Sequence, residues 1–470
     1  RRVLESSHTQ NTAVYPADSQ PVTRSGISRP AQPQLEDVRY RGVILFLKGR
    51  SVAKPKKMVQ RSVRKLALPG SALLDRLCRA AGQLYSAALV KYWRILRQTG
   101  NGKNGRKPVF LSQYGMEKLF PNDPDRVLHS HSCDAVVGHF YAAIKSANER
   151  KKKGSKEAKY PRKRKHFFKV TWKSTGIRLK AGSLILSTGK GVEDLVIPWN
   201  HALPTMVEIG WKKTGGYELR AVYEVQPQAA LGTGVAGVDL GELRIASVFD
   251  GEKATLYSGR LLKSKSRYRA KVISKLDAKI ARTKKGTAHT KPSRRRQKLI
   301  KGKRRLVARL ENQVSDILHK QTAHLVSTLH AAGVQTVVIG DITDIRDVIK
   351  YGRKANQRLH GWSFGRFRQM ITYKAAQLGM RAVIVDEAYT SQTCPPCTNR
   401  YKPSGRQYQC KACGFVSDRD VVGSMNIRAK YLGSFGTPVV GVMGPPVQGV
   451  RYAHGLSRHL NLHSSRIPRL

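Results

Sequence analysis

The chain has 470 residues, which is more than one ordinary domain, so two or three structural units are expected. Its 87 Lys and Arg residues against 30 Asp and Glu residues give a formal net charge of +57. An excess of this size is too large for a solvated surface alone and predicts a polyanionic partner, most simply nucleic acid. No apolar run reaches the length of a membrane span, so membrane association is not expected.

The first third of the chain predicts a polar leader followed by helices. Residues 1–39 are polar, contain Pro and Ser and show no periodicity, so they are expected to be disordered. Residues 41–48 (RGVILFLK) predict a strand with which the ordered protein begins. Apolar residues recur at helical spacing over residues 71–96 and 132–150. These two amphipathic helices predict a small helical unit over residues 71–154.

Residues 151–173 form the densest cationic tract and also contain aromatic residues. Basic and aromatic residues in alternation suit phosphate contact and base stacking, although we expect at least Phe168 and Trp172 to belong to a core instead. Short strand-like runs separated by Gly-rich turns follow, which is typical of a small β-barrel, here assigned to residues 40–70 and 155–230. The predicted nucleic-acid contacts of this tract are Lys151, Lys152, Lys153, Arg162, Lys163, Arg164 and Lys165.

A different pattern begins near residue 234. Residues 235–241 (VAGVDLG) predict a buried strand that ends in Asp239, and two more strands are expected at 245–249 and 254–257 across an Asp-Gly turn. A carboxylate at the end of a central strand, beside a glycine, is the layout of a ribonuclease-H-like nuclease. Asp239 is therefore the first candidate catalytic residue.

A long, charged helical pair is predicted over residues 261–330, followed by a buried strand at 334–341 and a helix at 356–378. The arms of the pair are basic on one face and apolar on the other, which would lay cations along a nucleic-acid backbone. The predicted contacts on these arms are Arg294, Arg295, Arg296, Lys303, Arg304 and Arg305.

Two Cys-x-x-Cys pairs, Cys394/Cys397 and Cys410/Cys413, enclose a short polar loop. This spacing is typical of a zinc ribbon, because four thiolates can close a tetrahedron around one ion. Two disulfides are the alternative, but a basic chain with no secretory signal is expected to be intracellular, where thiols stay reduced. Four protein ligands leave no open position, so Zn²⁺ is expected to fold residues 394–413 and to do no chemistry.

Carboxylates stand on both sides of these cysteines. Glu387 follows residues 382–385, which have the length and β-branched content of a buried parallel strand, and active groups gather at the carboxyl ends of such strands. Asp418 and Asp420 lead into a predicted helix. Asp418 is expected to be its N-cap, which leaves Asp420 to point elsewhere. Asp239, Glu387 and Asp420 together indicate a nuclease.

With GVDLG, an IGD strand, EAYTSQTC-PPC, CKACG and DRDVVGSMNI in this order, the chain resembles the TnpB family over roughly residues 40–432. These are transposon-encoded, RNA-guided DNA nucleases related to type V CRISPR effectors and Fanzor proteins, often described as transposases. The resemblance implies an α/β plus β-barrel architecture. A β-barrel wedge domain, interrupted by a helical recognition domain, precedes a RuvC-like nuclease domain at residues 231–393 and 414–432 with the zinc ribbon inserted. Residues 433–470, which are Gly/Pro-rich and then basic, are expected to be a disordered tail.

The resemblance also implies a guide RNA from the transposon end, double-stranded target DNA, and Mg²⁺ as the catalytic cofactor, with a monomer expected. One position departs from the family. Most members carry a glutamate just before the Asp of the second nuclease motif, where this chain has Gly340. In a subset, a substitute glutamate sits on the next strand just before TS-x-x-C, and Glu387 occupies that place. Asp386 is expected to face away from Glu387, because side chains alternate along a strand.

We therefore hypothesise that Asp239, Glu387 and Asp420 hold two Mg²⁺ ions about 4 Å apart, one activating water and the other stabilising the leaving 3′-oxygen. Neighbouring parallel strands lie about 4.8 Å apart, so Glu387 could replace a side chain missing at Gly340. Two alternatives stay open. One is a guide-directed DNA-binding protein that cannot cut, acting as a repressor or an accessory factor, and the other is a conventional transposase that needs no guide.

Overall fold

The structure is a computed structural model that describes residues 60–100, 110–120, 127–212, 214–286, 290–342, 352, 356–357, 361–438, 444–453 and 456–462. The predicted disorder of residues 1–39 and the strand at 41–48 lie outside these ranges. Within them, no helix is both long enough and apolar enough to cross a membrane.

The predicted helical unit is built from two long helices with a short one between them. Both predicted helices are confirmed, as α1 (Ala72–Gly100) and α3 (Ser130–Lys152), whereas the short helix α2 (Gln113–Leu119) was not predicted. The Ser71 hydroxyl accepts a hydrogen bond from the Leu74 N–H at 3.1 Å, which satisfies one free donor at the start of α1. The apolar stripes of α1 and α3 form a core with the strands that follow.

Those strands form two antiparallel sheets, one of four strands in the order β1-β7-β6-β2 and one of three in the order β3-β4-β5. Within the described residues these are separate hydrogen-bonded sheets, so closure into a barrel stays a prediction. Trp172 is buried in their common core and Phe168 packs against it, as expected. The strands are β1 (Gln60–Leu68), β2 (Val170–Lys173), β3 (Ile177–Lys180), β4 (Ser183–Leu186), β5 (Leu195–Pro198), β6 (Met206–Trp211) and β7 (Tyr217–Val225).

A mixed seven-stranded sheet, in the order β12-β11-β8-β9-β10-β15-β16, forms the second half of the described chain. Strands β12, β11 and β8 run parallel, while β8, β9 and β10 form an antiparallel meander. The strands are β8 (Gly234–Asp239), β9 (Arg244–Phe249), β10 (Ala254–Ser258), β11 (Val334–Asp341), β12 (Arg381–Asp386), β15 (Val447–Ala453) and β16 (Leu456–Leu462). A separate pair, β13 (Gln407–Gln409) and β14 (Val416–Asp418), flanks the last two cysteines.

Helices cover both faces of this sheet. The long pair α4 (Arg260–Ala281) and α5 (Arg294–Ala331) is confirmed, and α5 packs with α6 (Phe364–Gln377) in one core. Helix α7 (Arg419–Leu432) contributes to a second, smaller core with β9 and β10. The regular part of α6 begins later than the predicted helix at residue 356, with Ser363 at its N-cap position.

Two strand predictions are wrong. Strand β12 was expected to be buried, but in the described part of the chain it is an edge strand paired only with β11, and Ile384 is 49% exposed. The predicted disordered tail contains β15, which pairs with β10, and β16, which pairs with β15. High Gly and Pro content concealed these strands, because their pairing partners supply the order that local propensity does not.

Candidate active site and metal centre

Helix α7 lies directly on β8 because two glycines leave room for it. A Cβ at Gly237 would lie 2.0 Å from the Ser424 carbonyl oxygen, and a Cβ at Gly423 would lie 2.6 Å from a carboxylate oxygen of Asp239. Neither distance allows a side chain, so both glycines are required for the backbones to approach this closely. Asp239 is thereby enclosed between its own strand and the first turns of α7.

The Asp239 carboxyl is electrostatically coupled to both of the other predicted catalytic acids. Burial raises its pKa well above the usual range, and the negative charges of Asp420 and Glu387 raise the pKa further. The positive charge of Arg419 and then a hydrogen bond from the Leu240 N–H oppose this shift. Three acids that are far apart in the sequence therefore share one region of the fold. Such a cluster is unfavourable when ionised and favours a cation among the carboxylates.

Glu387 occupies the space beside Gly340. A Cβ at Gly340 would lie 3.0 Å from Glu387 Oε2 and 3.2 Å from Glu387 Cβ. Parallel pairing of Ile339 with Val238 makes Gly340 and Asp239 the next residues on adjacent strands. The Glu387 carboxylate thus lies beside Gly340, which is next to Asp239 on the adjacent strand. It occupies the space into which a side chain at position 340 would project.

The other two acids at this edge of the sheet form ion pairs with basic residues. Asp386 forms an ion pair with Lys430 at 3.1 Å, and Asp341 forms one with Arg368 at 2.8 Å. Glu387 Oε2, in contrast, is buried and has no hydrogen-bond partner among the described residues. The predicted alternation of Asp386 and Glu387 is confirmed, and Glu387 is the one of these three acids that has a free buried oxygen.

The Mg²⁺-free protein is expected to lose stability as the pH rises from about 5 to about 7. Burial, followed by the charges of Asp341 and Asp386, raises the pKa of Glu387 from 4.5 to about 7. Between these values the folded state keeps a proton that the unfolded state has released, so the free energy of unfolding falls as the pH rises. Thermal melting across this range in a buffer without added Mg²⁺, which leaves the zinc in place, measures the effect. Glu387→Gln should flatten the profile, and a variant profile parallel to that of the wild type would contradict the assignment.

Asp418 and Asp420 have different roles at the start of α7. Asp418 is the N-cap, as predicted, because its carboxylate accepts a hydrogen bond from the Asp420 N–H at 2.9 Å. Its buried carboxylate also forms an ion pair with Arg244. Asp420 forms ion pairs with Arg244 at 3.3 Å and with Arg406 at 3.1 Å. Burial, and then the charge of Asp418, raises the pKa of Asp420.

Sequence reasoning missed Arg244 and Arg406. Arg244 is only 8% exposed and lies in the apolar strand β9, and a charged residue within an apolar strand signals a buried carboxylate partner. Arg406 carried no such signal. It lies in the loop between the cysteine pairs and reaches Asp420 only through the folding of that loop.

A buried asparagine fixes the segment that follows Glu387. The Asn426 side chain on α7 donates hydrogen bonds to the carbonyl oxygens of Thr390 and Thr393, both at 2.7 Å. The Thr390 hydroxyl donates in turn to the Glu387 carbonyl oxygen at 2.8 Å. Helix α7 therefore anchors both the candidate catalytic glutamate and the entry to Cys394, a function of Asn426 that the sequence did not reveal.

The structure brings the four predicted cysteines together. Their sulfur atoms all lie within 4.8 Å of one another, with Cys394 and Cys413 3.6 Å apart and Cys397 and Cys410 3.5 Å apart. These separations are too long for disulfides and close to the roughly 3.8 Å expected between thiolates around one tetrahedral zinc. Burial opposes ionisation of Cys410, but hydrogen bonds from the backbone of Cys413 and Ala412 lower the pKa of its thiol to about 6. The donor set fits Zn²⁺.

Replacing Cys394 or Cys410 with Ser is expected to remove the bound zinc and to unfold residues 394–413, because this small unit has few apolar residues of its own. Metal analysis should give one zinc per chain for the wild type, and limited proteolysis should cut the variants within this segment. Cys133→Ala, in the core of the helical unit, is the control and should keep its zinc. Full zinc content in the Cys410 variant would rule out the cage.

The three candidate carboxylates do not form an equally tight group. In the part of the chain that the structure describes, the four cysteines alone bring three or more such donor atoms within 4.8 Å of one another. Asp420 is held in ion pairs with Arg244 and Arg406. The acids are coupled in charge, but their oxygen atoms do not all lie within 4.8 Å of one another.

The predicted nucleic-acid contacts of the first basic tract are exposed. The Arg162 guanidinium lies 3.7 Å above the Trp93 ring, and the Lys165 N–H donates to the Ser86 hydroxyl at 2.9 Å, so the tract is held along α1. Its cations are free to meet phosphates, whereas Phe168 and Trp172 are committed to the core and cannot stack on bases. Contact with nucleic acid stays a prediction for this tract.

On the helical pair, two of the predicted contacts have structural partners. Arg296 donates to the Ile280 carbonyl oxygen at 2.7 Å, and Lys303 forms an ion pair with Asp277, so both join α5 to α4. The other four predicted contacts are exposed, and their role also stays a prediction: Arg294, Arg295, Arg304 and Arg305.

Two family models and several known proteins match parts of this chain. Residues 219–346 match the family model described as "Probable transposase", and residues 364–427 match that of the Cas12f1-like TNB domain. A TnpB-like protein of Methanocaldococcus jannaschii is 30% identical over 206 residues, which cover 43% of this chain and 71% of that protein. This chain belongs to the TnpB family. The expectation drawn from the sequence motifs is confirmed.

Other relatives extend the match of this TnpB-family protein. A Streptomyces pristinaespiralis protein named as a candidate RNA-guided DNA endonuclease is 30% identical over 292 residues, covering 59% of this chain and 67% of its own. The CRISPR-associated endodeoxyribonuclease Cas12f1 of Sulfoacidibacillus thermotolerans is 24% identical over 254 residues, covering 52% and 57%. A Cas12f1 chain solved with sgRNA and target DNA aligns over 76% of this chain and 82% of its own, with a TM-score of 0.52 and 12% identity, so the two share a fold.

Proposed function

We propose that this TnpB-family protein is an RNA-guided DNA endonuclease whose RuvC-like site consists of Asp239, Glu387 and Asp420. The observation that carries the proposal is the position of Glu387, whose side chain fills the space beside Gly340 and next to Asp239. The free buried oxygen of Glu387 and the raised pKa of Asp239 add support. The structural acid Asp418 also has one free buried oxygen, but its other oxygen pairs with Arg244 and the Asp420 N–H, whereas the Glu387 carboxylate has no such partner among the described residues.

The donor set suits Mg²⁺, which is a hard ion that prefers carboxylate oxygens and needs few protein ligands. When bound, the metal would supply an activated water and stabilise the leaving oxygen of a phosphodiester. Asp239 at the end of β8, Glu387 just after β12 and Asp420 on α7 would hold it, with Gly340 of β11 between the first two. Release of protons from Asp239 and Glu387 accompanies binding, because their pKa values are raised in the free protein. Arg244 and Arg406 hold the Asp420 carboxylate and balance its charge.

The remaining parts of the chain have supporting roles in this proposal. The nuclease domain comprises residues 231–393 and 414–432, and zinc bound by residues 394–413 stabilises the loop that carries Arg406. The wedge domain, residues 40–70 and 155–230, and the recognition domain, residues 71–154, grip the guide and target through their exposed cations.

The test is a cleavage assay programmed with the RNA that copurifies with the protein. A plasmid that carries the matching target should be linearised in Mg²⁺ and left intact in EDTA, and a plasmid with a scrambled target should stay intact in both. A nuclease-inactive DNA-binding protein would bind the matched plasmid without cutting it in any divalent cation. A conventional transposase would act on transposon ends after removal of all RNA. Either of these results would overturn the proposal.

A further inference from the structure

A cavity of about 580 Å³ lies outside the carboxylate cluster, where β1, the helical pair and the start of α6 meet. Four cationic side chains line it: Lys65, Lys265, Arg269 and Arg366. We call it the basic cavity. Its volume is in the range of pockets that hold a small ligand or one unit of a polymer. No residue of the proposed nuclease site contributes to it.

The charge around the basic cavity is unbalanced. Arg269 forms an ion pair with Glu311 at 3.3 Å, and Glu311 is the one carboxylate among the described lining residues. Lys65, Lys265 and Arg366 form no ion pair with any described residue. Like charges that converge on one space repel one another, and burial of an anion among them would offset that repulsion.

A neighbouring histidine reports the same positive potential. Burial lowers the pKa of His319, and the charges of Lys374, Arg366 and Lys65 lower it further. Two of these three cations line the basic cavity. The excess of positive charge is therefore a property of this region of the folded chain as well as of the whole sequence.

The interior of the basic cavity also has an apolar side. Three buried apolar residues line it, Leu262, Leu310 and Trp362, which we call its apolar floor, and Ser266 and Ser363 add hydroxyl groups to the lining. A small inorganic anion would make no favourable contact with these apolar residues. A cationic rim over an apolar floor suits a nucleotide unit, which carries a phosphate on one side and a flat base on the other.

We propose that the basic cavity binds one nucleotide unit of the nucleic acid on which this protein acts, with the phosphodiester at the cations and the base and sugar against the apolar floor. The inference rests on the proposed function, because it takes a nucleic acid to be the partner. It adds a single defined contact site at the junction of β1 with the nuclease half, whereas the exposed basic tracts offer only diffuse attraction.

The test compares two triple variants that each remove three positive charges. Lys65→Ala/Lys265→Ala/Arg366→Ala removes three cations from the cavity lining, and Lys180→Ala/Lys190→Ala/Lys253→Ala removes three exposed lysines that do not line the cavity. Fluorescence anisotropy in EDTA follows binding of labelled single-stranded RNA and DNA of one sequence, about 20 nucleotides long, at several salt concentrations. The cavity variant should bind at least one probe about 10-fold more weakly than the control variant. The slope of the logarithm of its binding constant against the logarithm of the salt concentration should fall in magnitude by roughly 2, whereas the slope for the control variant should change by less than 1.

The two probes identify the source of the nucleotide. Loss confined to RNA assigns the cavity to the guide, and loss confined to DNA assigns it to the target. Equal binding by the two triple variants for both probes would overturn the inference. Thermal melting of the cavity variant without nucleic acid checks that it is folded. Its melting temperature should be unchanged or raised, because the substitutions remove like charges that have no ion-pair partner. The assay needs no cleavage, so a failure of the proposed nuclease activity would be seen separately in the plasmid assay.

Discussion

Replacing Asp239 with Asn is expected to reduce DNA cleavage by at least about 1,000-fold, which corresponds to about 4 kcal/mol of transition-state stabilisation. The carboxylate is enclosed between β8 and α7, where a Cβ at Gly423 would lie 2.6 Å from it, so only a side chain of the same size can be accommodated. Asn keeps the shape and the hydrogen bond from the Leu240 N–H. It removes the negative charge that a divalent cation requires.

Single-turnover cleavage of a guide-matched plasmid measures this loss, and binding of the copurifying RNA should stay unchanged. Asp250→Asn is the matched control. Its carboxylate accepts hydrogen bonds from the Glu252 and Lys253 N–H groups in the β9–β10 turn, and Asn can accept them as well. Cleavage by the Asp250 variant should stay within about 3-fold of the wild type. Unreduced cleavage by the Asp239 variant would remove Asp239 from the site.

Replacing Glu387 with Gln is expected to reduce cleavage by at least about 100-fold, since the free buried oxygen of Glu387 is the one we assign to the metal. Asp341→Asn and Asp386→Asn are the matched controls. Both acids end neighbouring strands but form ion pairs with Arg368 and Lys430. If Asp341→Asn abolished cleavage while Glu387→Gln did not, the assignment of Glu387 would be wrong.

A double-mutant cycle tests the same geometry without any activity. Gly340→Ala places a Cβ 3.0 Å from Glu387 Oε2, 3.2 Å from Glu387 Cβ and 2.9 Å from Ile427 Cδ1. The substitution should therefore destabilise the wild type. In a Glu387→Ala background the contact with Oε2 disappears, while the contacts with the Cβ of residue 387 and with the flexible end of Ile427 remain, so the cost should fall by about 0.5 to 1 kcal/mol. Additive effects in urea unfolding would show that the two positions do not touch.

The complementary experiment moves the glutamate from position 387 to position 340. Gly340→Glu combined with Glu387→Ala restores one carboxylate to the same space from the adjacent strand. The double variant should recover part of the cleavage that Glu387→Ala alone loses. Recovery requires the Ile427 side chain and the Cβ of residue 387 to shift by a few tenths of an ångström. If a folded double variant showed no recovery, cleavage would require the glutamate to come from residue 387, and a carboxylate that reaches the same space from residue 340 would not be sufficient.

Local patterns were sufficient for most of the secondary structure and for the cysteines. Apolar periodicity predicted α1, α3, α5 and the strands β8 and β11, because a long amphipathic segment or a buried β-branched run has few other ways to fold. Edge strand β12 and the tail strands β15 and β16 were misjudged, since the burial and order of a strand depend on its neighbours in the sheet.

The sequence by itself determined the four-cysteine cage, the acids at the strand ends and the N-cap role of Asp418, because each of these depends on residues close together in the chain. Only the tertiary structure decided that Glu387 fills the space beside Gly340 and that Arg244 and Arg406 hold Asp420. The physical reason is distance along the chain. Sheet register and the close approach of α7 bring these groups together, and neither leaves a local signal in the residues themselves.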